Sequence, residues 1–180
     1  MEVKEIFIQG PLVIQPRVFF DPRGYFYESY NQDRFEEAGI SARFVQDNQS
    51  LSQKGAVRGL HFQAPPFAQG KLVRVVRGAV YDVIVDIRKS SPTYGQHFGI
   101  ELSEENFTML WIPEGFAHGF STLKDQTIFQ YKCTAMYHKE SEGGLLWNDP
   151  SLGIDWKVKE AILSEKDLIL PELKNFISPF

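Results

Sequence analysis

The sequence is poor in cysteine and contains no long apolar run. Cys133 is the only cysteine among 180 residues, so no disulfide can form within the chain and a reducing compartment is expected. No stretch of 18 apolar residues is present that could span a membrane. The first residues, MEVKEIFIQG, lack the basic and apolar pattern of a secretory signal. These absences predict a cytoplasmic protein that does not associate with membranes.

Basic residues are not in excess, and histidines are few. The chain has 19 Lys and Arg residues against 23 Asp and Glu, a net charge of -4, which argues against non-specific binding to nucleic acid. Only four histidines are available as bases or metal ligands: His61, His97, His118 and His138. His97 and His138 match no functional pattern, and we interpret them as surface or structural residues.

Helix signals are also rare, whereas strand signals are abundant. Aromatic residues make up 14% of the chain, which favours β structure, and short runs such as KLVRVV and AVYDVIVDI are separated by turn sequences. Two short helices are expected, one capped by Asn31 and ending at Gly39, the other capped by Ser164 before Pro171. The predicted fold is mainly β, a jelly-roll β-barrel or sandwich with a few short peripheral helices, in one domain spanning residues 1–180.

Residues 71–88 carry the strongest hairpin signal. Two β-branched runs flank Arg77-Gly78, and Gly78 can adopt the positive φ that a tight turn needs, so the two runs are predicted to pair with each other. In the second run Asp82 falls on the same face as apolar neighbours. This position predicts an inward-pointing carboxylate that needs a hydrogen-bond partner.

The stretch RGLHFQ contains His61, and a second histidine, His118, follows a turn with proline and glycine in IPEGFAHGF. Two histidines so arranged resemble the metal-binding pattern of the cupin superfamily. That pattern also needs another histidine two residues after the first and a carboxylate downstream. Gln63 stands in place of that histidine, and Lys71 lies where an acidic ligand would serve. Because an ammonium group repels a divalent cation, no metal site is predicted.

The same groups suit proton transfer. Histidine has an unperturbed pKa close to neutrality and can act as a general base. Lys71 can stabilise the enolate that forms when a carbon next to a ketone loses a proton. A hydrogen-bonded structural role for His61 is the alternative. For Arg58 and His61 to face one pocket, their strand must break its alternation, and Gly59 permits such a bulge.

Nine sequence blocks, in order over most of the chain, carry a family resemblance. They are DPRGYFYESYN (21–31), FVQDNQS (44–50), VRGLHFQ (57–63), QGKLVR (69–74), VYDVIVDIR (80–88), LWIPEGFAHGF (110–120), QYK (130–132), SEGGLLWNDP (141–150) and LSEKD (163–167). In these blocks the chain resembles the dTDP-4-dehydrorhamnose 3,5-epimerase family, cupin-like enzymes of dTDP-L-rhamnose synthesis that use no cofactor. The resemblance implies a cupin-type jelly roll. It also implies a substrate, dTDP-4-dehydro-6-deoxy-α-D-glucose, whose C4 ketone acidifies the protons at C3 and C5.

The resemblance implies catalytic roles for four residues. His61 corresponds to the base that removes the protons, and it is paired with Asp167 of SEKD. Tyr131 of QYK corresponds to the acid that returns a proton from the opposite face, which inverts each carbon. Lys71 of QGK corresponds to the cation that stabilises the enolate at O4. No metal or redox cofactor is implied.

Further positions match family residues that contact nucleotide, diphosphate or sugar: Arg23, Glu28, Gln46, Asn48, Arg58, Lys71, His118, Tyr137, Glu142 and Lys166. Arginine and lysine among them supply the local positive charge that a diphosphate needs in an acidic chain. Tyr137 corresponds to a ring that stacks near thymine or sugar. The segment around it, CTAMYHKE, departs from the sequence that is common in the family. On spacing alone, Glu142 reads equally well as a turn residue and Lys166 as a solvated charge.

The family is homodimeric, so the resemblance implies a homodimer, and the strand-like N-terminus is expected to pair at a partner's sheet edge. Three other functions stay open on the sequence. One is an epimerase that acts only at C3 or only at C5 of another dTDP-4-keto-deoxysugar. The others are a metal-dependent cupin oxygenase that uses His61 and His118, and a sugar-nucleotide binding module without catalytic activity.

Overall fold

The structure, a computed structural model, describes all residues from 1 to 180 and consists mainly of β-strands. The strands are β1 (Glu2–Glu5), β2 (Leu12–Gln15), β3 (Phe19–Asp21), β4 (Gly24–Phe26), β5 (Gln46–Ser52), β6 (Val57–Gln63), β7 (Lys71–Arg77), β8 (Ala79–Asp86), β9 (His97–Ser103), β10 (Met109–Ile112), β11 (Phe116–Thr122), β12 (Thr127–Cys133) and β13 (Glu142–Gly144). One α-helix, α1 (Gln32–Glu37), and three 3-10 helices (Lys139–Ser141, Glu165–Leu168 and Leu173–Asn175) complete the chain. None of the helices has the length and apolar character needed to cross a membrane.

Two antiparallel sheets make up the body of the protein. The larger has six strands in the order β1-β2-β10-β7-β12-β5, and the smaller has five in the order β13-β6-β11-β8-β9. Strands β3 and β4 form a separate hairpin. The prediction of a mainly β fold with short peripheral helices is therefore confirmed.

The main core lies between the two sheets. Alternate residues of β7, including Val73 and Val75, meet apolar residues of β8 and β11 such as Ile84 and Phe120. A second apolar cluster, which contains Val83 and residues from the C-terminal third of the chain, covers the other face of the five-stranded sheet. Because β8 is covered on both faces, its sequence is apolar almost throughout, as expected for a central strand.

The hairpin predicted for residues 71–88 is wrong. β7 pairs with β10 and β12, whereas β8 pairs with β9 and β11, so the turn at Gly78 carries the chain from one sheet to the other. Gly78 does adopt a positive φ of 82°, and its N–H donates to Glu104 Oε1 at 2.9 Å. The turn signal correctly indicated a reversal, but it carried no information about which strand would pair with which.

Both predicted helices exist, although the second differs in kind. Asn31 caps α1 by accepting from the backbone N–H of Arg34 at 3.2 Å, as predicted. Ser164 caps a 3-10 helix, Glu165–Leu168, which ends earlier than expected. The residue before Pro171 disfavours helical geometry, which limits this segment to one short turn.

Candidate active site

A cavity of about 500 Å3 lies between the two sheets. Strands β6 and β11 form one wall, β7 and β12 form the other, and the 3-10 helix at Glu165–Leu168 lies along one side. Seven of the predicted site residues line this cavity: Arg58, His61, Lys71, His118, Tyr131, Lys166 and Asp167. Residues that are far apart in sequence are thus brought together at one place.

A bulge in β6 brings both Arg58 and His61 to the cavity. His61 pairs with His118 of β11, but Arg58 pairs with Phe120, so β6 contains one extra residue over this interval. Gly59 lies in the bulge with a φ of 130°, and a Cβ at this position would lie 2.5 Å from a backbone Cα of β11. Only glycine fits this close approach. The predicted bulge at Gly59 is confirmed.

His61 and Asp167 form a close pair. The Nε2 atom of His61 lies 2.6 Å from Asp167 Oδ1, and the Asp167 side chain is almost fully buried. Burial alone would raise the pKa of Asp167, but the hydrogen bond and the charge of His61 outweigh it and hold this pKa below its ordinary value. An ionised Asp167 that accepts from the Nε2–H of His61 leaves the other ring nitrogen, Nδ1, free to accept a proton.

A second histidine–carboxylate pair is buried beside Lys71. The Nε2 atom of His118 lies 2.9 and 3.1 Å from the two carboxylate oxygens of Asp82. Burial raises the pKa of Asp82 and lowers that of His118, each opposed by the other partner. Burial also lowers the pKa of the Lys71 ammonium, although the carboxylate of Asp82 opposes the shift. The predicted inward-pointing Asp82 with a hydrogen-bond partner is confirmed.

Tyr131 reaches the cavity from the six-stranded sheet. Its ring centroid lies 6.0 Å from Lys71 Nζ, and burial raises the pKa of its phenol. Asn48 is the cross-strand neighbour of Tyr131, and its amide donates to the buried thiol of Cys133 at 3.6 Å. Tyr131 therefore keeps its proton at neutral pH, which is the form that can act as an acid.

Four more predicted residues form a hydrogen-bonded row beside the cavity. Gln46 Nε2 donates to Asn48 Oδ1 at 3.0 Å, and the backbone N–H of Tyr137 donates to Gln46 Oε1 at 2.8 Å. The Tyr137 hydroxyl donates to Glu142 Oε2 at 3.3 Å, and Glu142 forms an ion pair with Lys166. Because Lys166 lines the cavity, this row is continuous with its wall.

The cavity concentrates positive charge in a chain whose net charge is -4. Arg58, Lys71 and Lys166 all line it. The Nε atom of Arg58 donates to Ser52 Oγ at 3.1 Å, which orients the guanidinium while its remaining N–H groups stay available. Such a wall is suited to an anionic ligand.

Arg23 and Glu28 are not brought to this cavity. Arg23 is exposed at the tip of the β3–β4 hairpin, where it pairs with Asp21. Glu28 pairs with Arg34 and lines a different cavity of about 250 Å3. Within one chain, therefore, these two predicted binding residues lie apart from the other eleven predicted site residues.

Sequence reasoning did not predict the structural positions of two polar residues of this region. The hydroxyl of Ser50 is buried, lines the cavity and has no hydrogen-bond partner. Ser50 lies inside the block FVQDNQS. It is two residues after Asn48 along β5, so strand alternation could have indicated that both side chains face the same side. Gln63 was considered only as a missing metal ligand, although its side chain is buried and bonded to the backbone of two loops.

The polar donors do not form a cage for a metal ion. No group of three or more His, Cys, Asp or Glu side chains is arranged to hold one. His61 and His118 are each bonded to a different carboxylate, and the amide of Gln63 is hydrogen-bonded to backbone groups.

His138 stacks on Phe67 with a ring-centroid distance of 3.8 Å, in agreement with its interpretation as a surface or structural residue.

Comparisons with known proteins point to one family. The family model described as dTDP-4-dehydrorhamnose 3,5-epimerase matches residues 5–175. A protein of that name from Shigella flexneri is 55% identical over 169 residues, 93% of each chain. Another from Methanothermobacter thermautotrophicus is 53% identical over 163 residues, 89% of this chain and 88% of the relative.

Solved structures agree. A crystal structure of dTDP-6-deoxy-D-glucose-3,5-epimerase from Legionella pneumophila, in complex with dTDP-4-keto-L-rhamnose, superposes with a TM-score of 0.94 at 48% identity. The match covers 98% of this chain and 94% of that one. The cupin-type jelly roll implied by the sequence blocks is thus confirmed. The chain belongs to the dTDP-4-dehydrorhamnose 3,5-epimerase family.

Proposed function

We propose that this protein is an isomerase that inverts C3 and C5 of dTDP-4-dehydro-6-deoxy-α-D-glucose and yields dTDP-4-dehydro-β-L-rhamnose. The observation that carries the proposal is the arrangement of His61 and Tyr131 on opposite walls of one cavity that also holds Lys71. A base on one side and an acid on the other are what inversion by proton exchange requires.

The first step removes a proton. The C4 ketone acidifies the neighbouring C–H bonds, and His61, oriented by Asp167, takes the proton from carbon on its Nδ1 lone pair. The electron pair moves to the ketone oxygen and forms an enolate. Lys71 stabilises the negative oxygen, because an ammonium held in a partly buried wall acts more strongly than one in water.

The second step returns a proton from the other face. Tyr131 belongs to β12 in the six-stranded sheet, whereas His61 belongs to β6 in the five-stranded sheet. A sugar ring held between these walls loses a proton toward one sheet and gains one from the other, which inverts the carbon. The raised pKa of the buried Tyr131 phenol supports this role, since the group is protonated before it donates.

The remaining residues bind the nucleotide sugar in this proposal. Arg58 and Lys166 hold the diphosphate through charge-assisted hydrogen bonds, and His118 contacts the sugar. Lys166 then exchanges its ion pair with Glu142 for the phosphate oxygens. The other members of the row beside the cavity, Gln46, Asn48 and Tyr137, contact the nucleoside end.

The position of Arg23 and Glu28 supports a homodimer. The β3–β4 hairpin that precedes Glu28 exposes large aromatic rings, with Phe20 at 70% and Phe26 at 68% exposure. Soluble monomers rarely expose such a patch. In a homodimer the hairpin of one subunit would cover the cavity of its partner and carry Arg23 and Glu28 to the ligand. A monomeric mass in solution would contradict this arrangement.

The reaction needs no metal or redox cofactor in this proposal, because each step moves a proton and the sugar is neither oxidised nor reduced overall. Activity that persists after treatment with a chelator would support this statement. Activity that returns only when a divalent metal is added would favour a metal-dependent cupin enzyme instead.

Incubation of the keto sugar with enzyme in D2O tests the function. Deuterium at both C3 and C5 of the product, read by NMR, supports the double epimerase. Deuterium at one carbon alone would favour a single-site epimerase. No incorporation, together with tight binding of dTDP, would identify a binding module and overturn the proposal.

A further inference from the structure

Gln63 uses both amide hydrogens and its carbonyl oxygen in hydrogen bonds at the junction of two loops. Its side chain is buried, and its Nε2 donates to the backbone carbonyls of Phe67 and Met136. Its Oε1 accepts from the backbone N–H of His138 at 2.9 Å. One side chain at the end of β6 thus ties the segment that follows it, residues 64–70, to the segment between β12 and the first 3-10 helix.

The bonds to the second segment flank a single residue, Tyr137. Gln63 holds the carbonyl before it and the N–H after it, while Gln46 accepts from the N–H of Tyr137 itself at 2.8 Å. The two glutamines therefore hold both peptide groups that flank the Cα atom of Tyr137. Side-chain hydrogen bonds to successive backbone groups are unusual in a segment that belongs to no strand, because loop backbone generally bonds to water.

The side chain of Tyr137 has little support of its own. It is 57% exposed, and its one side-chain hydrogen bond is a 3.3 Å contact from the hydroxyl to Glu142. The ring position therefore depends on the backbone that carries it. A ring that is already held in place beside a cavity binds a ligand without the cost of ordering a loop at the moment of binding.

We propose that Gln63 is a positioning residue for Tyr137 and thereby sets the affinity for the nucleotide sugar. The inference rests on the proposed function, in which Tyr137 contacts the ligand. Gln63 stands where a metal-binding cupin would carry a histidine ligand, and in this chain the position serves the loop backbone rather than a cation. Gln63 does not line the cavity that holds His61, Lys71 and Tyr131, so its effect is expected on binding and not on proton transfer.

The test is a double-mutant cycle between Gln63→Met and Tyr137→Ala. Methionine has a similar length and volume but cannot form the three hydrogen bonds. Each single variant is expected to raise KM and the Kd for dTDP about tenfold, with a much smaller change in kcat. The double variant should be no weaker than the worse single variant, because Gln63 acts through Tyr137.

Gln130→Met is the matched control. The amide of Gln130 accepts from Arg74 on the outer face of the six-stranded sheet, so this change removes a glutamine hydrogen bond away from the cavity. It is expected to leave KM and the Kd for dTDP unchanged. Thermal unfolding of each variant is measured in parallel, to separate loss of affinity from loss of folded protein.

The outcomes separate the inference from the function on which it rests. Additive effects of Gln63→Met and Tyr137→Ala on dTDP binding would overturn the positioning role even if the wild-type enzyme is fully active. An unchanged Kd for Gln63→Met would do the same. Wild-type protein that binds dTDP but exchanges no deuterium would refute the epimerase function, while the cycle on dTDP binding would still decide the role of Gln63.

Discussion

His61 Nε2 and Asp167 Oδ1 lie 2.6 Å apart, although 106 positions separate the two residues in sequence. The imidazole comes from a bulged strand in the centre of a sheet, and the carboxylate comes from a short 3-10 turn near the C-terminus. Their contact joins the two parts of the chain at the cavity. It also means that the geometry of the proposed base depends on a segment far away along the chain.

Replacement of His61 by Ala should abolish deuterium exchange at both carbons, with kcat reduced by about 10³-fold or more, because the base is lost. Binding of dTDP, measured by calorimetry, should change little. Full activity in the variant would contradict the assignment. Asp167→Asn should reduce kcat by roughly 10²-fold with KM nearly unchanged, since the imidazolium formed on His61 loses the negative charge that stabilises it but the cavity keeps its shape.

Tyr131→Phe should separate proton removal from inversion. His61 can still remove a proton in this variant, but no acid returns one from the opposite wall. The substrate is therefore expected to acquire deuterium slowly from D2O without a change of configuration, while formation of the epimerised product falls by about 10²-fold or more. NMR of the recovered sugar distinguishes exchange from inversion. Normal amounts of inverted product would show that Tyr131 is not the acid.

Lys71→Met should lower kcat by about 10²–10³-fold, because the enolate oxygen loses its cation.

Replacement of Asp82 tests more specifically whether the charge of Lys71 is needed. Its carboxylate bonds to His118 and opposes the loss of charge on Lys71. Asp82→Asn removes that opposition, so the pKa of Lys71 should fall further and activity should decline at lower pH than in the wild-type enzyme.

The pH profile of kcat checks this expectation. The alkaline limb of the Asp82→Asn profile should shift toward lower pH, and Lys71→Met should lack that limb altogether. An alkaline limb that is identical in wild-type and Asp82→Asn protein would indicate that Lys71 does not control it.

Much of the fold was predictable because local patterns determine it. Alternation along β8 predicted the inward-pointing Asp82, and the cap at Asn31 predicted α1. Strand pairing was not predictable in the same way. The sequence around Gly78 predicts a reversal with equal force whether the next strand joins the same sheet or the other, because pairing depends on residues far away along the chain.

The site shows the same division. Gly59 predicted a bulge because only a residue without Cβ allows Arg58 and His61 to share a face, and the structure has it. The function of Gln63 could not be read from its sequence neighbours. Its partners are backbone atoms of loops, and backbone atoms carry no sequence signature. The separation of Arg23 from the cavity could not be predicted either. The order of the nine sequence blocks does not tell whether all site residues come from one chain.

Hybrid dimers can test the contribution of Arg23. An Arg23→Ala variant should bind the nucleotide sugar about tenfold more weakly, because one charged contact to the diphosphate is lost. If Arg23 serves the partner's cavity, mixing this variant with inactive His61→Ala protein should raise activity at low substrate concentration. In the mixed dimer, one cavity has both the intact base and the intact arginine.

Separately purified variants, mixed and assayed after subunit exchange, provide the measurement. The control is a mixture of His61→Ala with Tyr131→Phe. Both of these residues line the same cavity within one chain. In that mixture each cavity carries one lesion and no recovery is expected. Equal behaviour of the two mixtures would contradict a site shared between subunits.

Acid stability should depend on Asp86 at the end of β8. Arg88 donates to both of its carboxylate oxygens, and the hydroxyls of Ser91 and Thr93 donate at 2.5 and 2.6 Å. Burial alone would raise the pKa of Asp86, but these bonds hold it at about 2. Since the pKa is lower in the folded than in the unfolded chain, the stabilisation is complete above about pH 4 and is lost as the pH falls through about 2. The ionised group is expected to contribute about 2 kcal/mol to the free energy of unfolding at neutral pH.

Denaturant unfolding of wild-type and Asp86→Asn protein between pH 6 and pH 2 tests this contribution. The asparagine variant should be less stable at pH 6, and the difference should shrink as the pH falls, because protonation removes the same charge from the wild-type protein. Asp155→Asn is the control, since Asp155 is exposed and pairs only with Lys157, so its effect should be small throughout. A single transition in each curve is also expected if the chain is one domain, as we propose. A difference between wild type and Asp86→Asn that stays constant down to pH 2 would show that the charge of Asp86 does not stabilise the fold.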